Sequence, residues 1–341
     1  MTLKTTLVAF FCCISFVIQA QFVDGQLFVK LISKSDYTQI EAELKVLDAE
    51  LTDPITIGYN GLDRVFVVEY SGEWGNVYQT LEANDLVEYV ERVPDYQAFY
   101  TPNDLHTSQW NLTQIFAEQA WDETIGNNRI IAMVDDAILL SHEDLSANIW
   151  TNPGEIPGNG IDDDANGYID DVNGWDAADG DNDPNPPATA SSACFSHGSH
   201  CAGIAAAVTD NSLGIASIGF NSQIMAVKIG TGACSSLANA YLGVNYAIAS
   251  GAHIINMSWG GGMYSITYQT IFDAAYASNI VCVAAAGNSS TSLPMYPASY
   301  NHVISVGSTT TGDVISGFSN YGSTIDVMAP GSNIYSCLGD G

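Results

Sequence analysis

The residues best placed to do chemistry are two histidines and a scatter of carboxylates. His197 opens the run Ser196-His197-Gly198-Ser199-His200-Cys201-Ala202-Gly203, which continues through Ile204-Ala205-Ala206-Ala207. Small residues after the histidine make a helix that packs tightly against a sheet. An imidazole held at such a helix start serves as a general base when a carboxylate orients its far nitrogen. Asp135 is the candidate carboxylate, because it directly follows the buried-strand run Ile130-Ile131-Ala132-Met133-Val134. Plainer roles exist for both: Asp is a common helix N-cap, and a histidine can be an ordinary polar residue at a helix start. His197 and His200 also have the His-x-x-His spacing of half a zinc site.

A second kind of chemistry is written in Asp162-Asp163-Asp164-Ala165-Asn166-Gly167-Tyr168-Ile169-Asp170-Asp171. Its D-x-D-x-N-G spacing is that of a calcium loop, in which oxygens at alternate positions wrap one ion and the glycine permits the sharp turn. The candidate ligands are Asp162, Asp164, Asn166, Tyr168, Asp170 and Asp171. Where an EF-hand ends in a bidentate Glu, Asn173 stands here, and Asp171 is the substitute. An acidic loop without an ion is the plain alternative.

These groups need elements to hold them. Apolar strand candidates fall at 130–134, 224–229, 253–257, 280–284, 303–306 and 325–328, with helical runs at 236–250 and 266–278. Alternation of this kind gives an α/β unit with a mostly parallel, doubly wound sheet, and side chains that do chemistry belong at the carboxyl ends of its strands. Ahead of it, 26–31, 64–70 and 87–90 read as strands. Ile40, Leu44, Leu47 and Leu51 fall on one helical face between the first two of them. That pattern makes residues 21–100 a small α+β domain and 101–341 a larger one.

Acidic residues number 38 against 8 basic ones among 341, for a formal charge of −30. Such a surface argues against nucleic acid and anionic membranes as partners and favours cations. Residues 1–20 read as a secretory signal: Lys4, the apolar run 7–18, then Ala20. No later stretch is long and apolar enough to span a bilayer, so the protein is expected to be secreted. Of seven cysteines, Cys12 and Cys13 leave with the signal. The remaining odd number implies at least one free thiol or an intermolecular pair. Cys201 and Cys282, in small apolar runs, are the expected buried thiols.

Four blocks in order carry a resemblance. They are Arg129–Asp135 with Ser141-His142-Glu143-Asp144-Leu145; the His197 run; Ile255-Asn256-Met257-Ser258-Trp259-Gly260-Gly261; and Val283-Ala284-Ala285-Ala286-Gly287-Asn288. In this order and at these separations they resemble the subtilisin-like serine peptidases, from Trp110 to the last residue. The resemblance implies a subtilisin-like sheet, incomplete at the C-terminus, and a secreted serine endopeptidase made as a zymogen. It makes Asp135 and His197 two members of the catalytic triad and Asn288 the side-chain donor of the oxyanion hole. Ser258, Trp259 and Gly260 would form one wall of the substrate pocket and Ala285, Ala286 and Gly287 the other. Residues 21–100 look like the inhibitory propeptide of that family, with a cut expected after Tyr100. Asp144, with the Asp210-Asn211 loop, resembles a second, weaker calcium site. Cys194 and Cys234 would flank the cleft and form a disulfide. The expected partners are protein or peptide substrates and the chain's own propeptide, and the expected state is a monomer.

There are two departures. The family usually has Ser or Thr and then Gly after the triad Asp, where this chain has Asp136-Ala137 and so a second carboxylate. The family's nucleophile lies in Gly-Thr-Ser-Met-Ala, and the chain ends at Gly339-Asp340-Gly341 with no serine in such a motif. The nucleophile is therefore expected beyond residue 341, and residues 1–341 alone are expected to be inactive. Two alternatives belong to other classes: a non-catalytic, calcium-binding pseudo-peptidase, and a zinc hydrolase using His197 and His200.

Overall fold

The computed structural model describes residues 22–54, 62–94, 101–188, 194–232 and 236–339. The chain falls into two units, Met1–Ala98 and Phe99–Gly341.

In the first unit, strands β1 (Phe22–Leu31), β2 (Ala49–Pro54), β3 (Val65–Tyr70) and β4 (Val87–Pro94) form an antiparallel sheet in the order β2-β3-β1-β4. Alternate residues of β1, namely Leu27, Val29 and Leu31, are fully buried. They pack with Ile40 and Leu44 of helix α1 (Tyr37–Leu44) and with Val77 and Leu81 of α2 (Trp74–Glu82). The helical face expected to run on to Leu51 ends with Leu47, which packs on the same core from a 3-10 turn (Lys45–Leu47). Asp48 takes a left-handed conformation (φ 53°), which ends the helical path, and Leu51 reaches the same core from β2 instead. Helix α2 was not foreseen, although Val77 and Leu81 carry the i, i+4 spacing that marks a buried helical face.

In the second unit, seven parallel strands run in the order β11-β10-β9-β8-β5-β7-β6. They are β5 (Ile130–Asp135), β6 (Gly174–Asp176), β7 (Gln223–Lys228), β8 (Ile254–Met257), β9 (Val281–Ala285), β10 (Val303–Thr309) and β11 (Val327–Pro330). Short helices α3 (Trp110–Gln114) and α4 (Ala117–Glu123) precede them. β6 was not expected, because it is three residues long and sits in the acid-rich stretch. Parallel strands need crossovers, and α6 (Ala240–Ala249) and α7 (Ile266–Ala277) supply two of them. Val244, Tyr246 and Phe272 of these helices bury Ala132, Val134, Ile255 and Met257 on one sheet face. On the other face, α5 (His197–Ala206) sets Ala202 and Ala206 against Ile131, Met133, Ile224 and Ala226.

This architecture positions the site in two ways. Strand order reverses at β5, with later strands added on both sides, so the carboxyl end of β5 opens onto the crevice where α/β sheets hold ligands. The α5 face of the sheet is also left open over its β8–β11 half. There Val281, Ile304 and Val327 are 45%, 40% and 48% exposed, while their neighbours Cys282 and Val303 are buried. Along β8, Ile255 and Met257 point to the covered face and are fully buried. Among the described residues no helix is long and apolar enough to cross a membrane.

Candidate active site

Asp135 ends β5, and its carboxylate is almost fully buried. His197 is the first residue of α5, and its side chain is 58% exposed. The two meet, with His197 Nδ1 2.7 Å from Asp135 Oδ1. The same oxygen accepts the Asp136 backbone N–H at 2.8 Å, while Asp135 Oδ2 is buried without a hydrogen-bond partner among the described residues. Committing Nδ1 to the carboxylate leaves Nε2 as the nitrogen for a reacting group. The approach depends on Gly198. A Cβ there would lie 2.3 Å from the Ala137 carbonyl oxygen and 3.0 Å from Asp135 Cβ. Any side chain would therefore lift α5 off β5.

The electrostatics follow the geometry. The Asp135 hydrogen bond raises the proton affinity of His197 well above the ordinary imidazole range. The Cys201 thiol, 4.0 Å from Nδ1, adds in the same direction, and partial burial opposes both. His200 moves the other way, pushed down mainly by burial. Its Nε2 lies 3.1 Å from the Ile334 carbonyl oxygen. His200 is thus tied to the C-terminal segment, and the potential metal ligands that converge with His197 are Asp135 and Cys201. Among the described residues His200 is not part of that group.

The other half of the site lies beyond β9. Gly287 turns the chain with φ 105°, and Asn288 follows it, exposed. The turn is held by Asn320, which is 1% exposed. Asn320 Nδ2 donates to the Ala286 carbonyl at 2.7 Å, and its Oδ1 accepts the Ser289 N–H at 2.9 Å. Its backbone N–H donates to the Gly287 carbonyl at 2.9 Å. Asn320 was not picked out from the sequence, where a lone Asn in a Ser/Gly-rich stretch has no distinguishing signal.

Two cavities meet here. One, of about 350 Å³, is lined by Ser258, Ala285, Ala286, Gly287 and Asn288 together with the open sheet surface at Val283 and Val306. The other, of about 260 Å³, is lined by Asp135, Asp136, His197, Leu237, Ser258 and Trp259. Ser258 belongs to both, so the histidine and the asparagine face adjoining parts of one cleft. Trp259 lies on the histidine side, its indole N–H donating to the Val134 carbonyl at 2.9 Å. Gly260 packs against Met295 and Tyr296 instead of lining either cavity.

A Subtilase family model matches residues 126–340, which span strands β5 to β11. The chain belongs to the subtilase family. It is 39% identical to thermitase of Thermoactinomyces vulgaris over 243 residues, covering 70% of this chain and 76% of thermitase. It is 35% identical to a thermophilic serine proteinase of a Bacillus species and to halolysin of Haloferax mediterranei. The match covers 77% of this chain in each case, but only 59% and 46% of those two relatives. A solved protease structure from Pseudoalteromonas arctica superposes with a TM-score of 0.56 at 29% identity, covering 68% of this chain and 73% of that one.

In this subtilase the acid-rich loop draws its carboxylates from a different set than the spacing gave. Asp164 and Asp171 converge with Glu155, their oxygens within 4.8 Å of one another. Asn166 joins them, its Nδ2 donating to Asp171 Oδ2 at 3.1 Å. Asp162 accepts the backbone N–H groups of Asn166 and Gly167, and Asp170 those of Asn159 and Gly160; within the cluster Glu155 likewise accepts those of Asp163, Asp164 and Asp170. Asp171 is fully buried, burial pushes its carboxyl up, and Tyr246 Oη donates to it at 2.8 Å. Tyr168 packs edge-on against Tyr246, anchoring the loop to the core. Asp144 stands apart, accepting from Asn211 Nδ2 at 2.8 Å and from the Ile215 N–H at 2.9 Å. Beside them Asp104 accepts the Asn211 N–H, and its other oxygen is buried without a partner among the described residues.

The cysteines divide clearly. Cys201, Cys282 and Cys337 are free, and Cys194 is disulfide-bonded. Cys234, its expected partner, lies outside the described residues. Cys282 is buried as expected, but Cys201 is only partly covered, because it sits one helical turn beyond His197 at the cleft. Cys337 is buried against α5, where a Cβ on Gly203 would lie 2.8 Å from its sulfur.

Proposed function

We propose that this chain is the precursor of a secreted serine endopeptidase that cleaves peptide bonds through an acyl-enzyme. The observation that carries the reading is the Asp135–His197 couple at 2.7 Å, opening through Ser258 onto the cavity of Asn288. A serine hydroxyl near Nε2 of His197 attacks the scissile carbonyl carbon while Nε2 takes its proton. Asp135 holds the imidazole in the required tautomer and stabilises the imidazolium, and Asn288 donates to the oxyanion. His197 then returns the proton to the leaving amine, and water repeats the sequence to free the acid.

In this reading the serine follows residue 341. Gly339 supports it: a Cβ there would lie 2.4 Å from the Phe195 carbonyl oxygen and 3.1 Å from Ser196 Cα. The last described residue thus arrives beside His197. The open β8–β11 face, rimmed by Val281, Ile304 and Val327, is the surface on which a helix carrying that serine would pack. Residues 21–100 act as the intramolecular inhibitor, the mature enzyme is a monomer, and Cys194 pairs with Cys234.

Calcium is a structural ion in this reading. Glu155, Asp164 and Asp171 fit it, as hard oxygen donors whose carboxylate oxygens lie within 4.8 Å of one another. Asp144 and Asp104 with Asn211 form the second site, to which the unpartnered Asp104 oxygen is suited. Fluorophosphonate labelling of the full-length product tests the assignment. A labelled serine supports the peptidase, and an unreactive, calcium-binding product supports the pseudo-peptidase.

A further inference from the structure

Asp136 is this chain's departure from the family pattern, and the structure gives it a set of contacts that a Ser or Thr cannot reproduce. Its Oδ1 accepts the backbone N–H of Gly198 and of Ala137, each at 2.7 Å. Its Oδ2 accepts the backbone N–H of His197 at 3.2 Å. Its own N–H donates to Asp135 Oδ1 at 2.8 Å, the oxygen that also holds His197.

The helix needs this. The first N–H groups of any α-helix lack intrahelical partners, and a side chain at the N-cap usually supplies one. The N-cap of α5 is Ser196, whose side chain makes no capping bond. Asp136 caps the helix from another element, at the end of the strand that carries Asp135. An anion at this end also meets the positive pole of the helix dipole. Capping by one hydroxyl would satisfy one amide, whereas the carboxylate takes two from α5 and one from its own turn. The residue is 8% exposed, so water does not substitute freely for these bonds.

We infer that Asp136 is a positioning residue for the catalytic base: it pins the first turn of α5 to the end of β5 and so sets the Nδ1–Asp135 contact of His197. It acts through His197, both of its carboxylate oxygens being taken by backbone N–H groups. The inference rests on reading Asp135 and His197 as the catalytic couple. Among the described residues the ionisable groups around His197 are Asp135 at the end of β5 with Asp136 directly after it and, from α5 itself, Cys201, with His200 nearby on the same helix.

The test is an NMR titration of His197 in the full chain, with the Nδ1–H resonance followed alongside, in wild type and in Asp136→Ala, Asp136→Asn and Asp135→Asn. Neither readout requires turnover. Asp136→Ala should lower the His197 pKa by about one unit and move the Nδ1–H resonance upfield, as the hydrogen-bonded contact with Asp135 loosens. Asp136→Asn keeps one acceptor oxygen, so it should lie between the two. It also serves if the alanine variant does not fold. Wild-type values of both readouts in a folded Asp136→Ala or Asp136→Asn protein would overturn the inference, even if thermal stability dropped, because a purely structural cap lowers stability without moving the imidazole. Asp135→Asn separates the two claims. If it leaves the His197 pKa unchanged, the couple itself fails. If it lowers the pKa and the Asp136 variants do not, only the positioning role fails.

Discussion

Asp135 and His197 are 62 residues apart in the chain, and their side chains meet at 2.7 Å. The contact joins the end of a central strand to the first residue of a helix on the sheet's other face, and the absent side chain of Gly198 permits it. Rigid elements on both sides hold it, which is what a catalytic proton transfer requires of its partners.

Neutralising the carboxylate should therefore cost catalysis without costing the fold. Asp135→Asn in the full-length enzyme is expected to lower kcat by about 10⁴-fold, the scale of loss known when the acid of a serine-protease triad becomes an amide. Steady-state kinetics on a peptide substrate, with circular dichroism as the control for folding, checks it. A loss under about tenfold contradicts the triad assignment.

The pH profile has a definite sign. The base must be neutral to accept a proton, and Asp135 raises the pKa of His197 above its ordinary 6.5. The acid limb of kcat/KM should accordingly lie above 6.5 in wild type and move to lower pH in Asp135→Asn. The linkage to stability runs the same way. What the couple adds to folding is fully present below 6.5 and is lost as pH rises through the raised folded value. Rate profiles and thermal melts from pH 5 to about 11 test both halves.

Asn288 and its support should separate by readout. Asn288→Leu should reduce kcat by about 10²–10³-fold with KM little changed, as for the corresponding donor of subtilisin. Asn320→Ala should also destabilise the fold by about 1–3 kcal/mol, since the Ala286 carbonyl and the Ser289 N–H lose their buried partner. An Asn320→Ala enzyme with normal melting and normal kcat contradicts its role in the turn.

The candidate calcium loop makes a different forecast. Calcium should raise the melting temperature of wild type, and Asp164→Ala or Asp171→Asn should shrink that rise. Asp162→Asn should leave most of it, because Asp162 lies outside the group in which Glu155, Asp164 and Asp171 converge. Equal calcium-induced shifts in wild type, Asp164→Ala and Asp171→Asn would remove the site.

Processing and specificity are open to direct measurement. Cleavage is expected near Tyr100, and the small residues Ala285, Ala286 and Gly287 lining the 350 Å³ cavity favour Phe, Tyr or Leu before the scissile bond. A mature N-terminus well outside residues 99–102 contradicts the first point, and a peptide-library preference for basic residues contradicts the second.

Much of this was legible in the sequence because it lies in local patterns. The apolar runs of β5, β8 and β9 each lead into a block with chemistry, and the small-residue helix after His197 advertises close packing. What was not legible depends on partners far along the chain. Glu155 meets Asp164 and Asp171 only because the loop folds back, and nothing in its spacing marks it. Asn320 serves a turn more than thirty positions earlier. Asp136 reads as an odd extra charge until α5 supplies the amides that it caps. Leu51 kept its buried place but changed element, since a left-handed Asp48 is invisible to a hydrophobic period.

The central claim is that the Asp135–His197 couple activates a serine delivered past Gly339. Its most direct test is fluorophosphonate labelling of the full-length product, with the modified residue mapped by mass spectrometry, in wild type and in His197→Ala. The account predicts one labelled serine, in a Gly-Thr-Ser block following residue 341, with labelling nearly abolished in His197→Ala. No labelling of the wild type, or labelling that persists unchanged without His197, would contradict it.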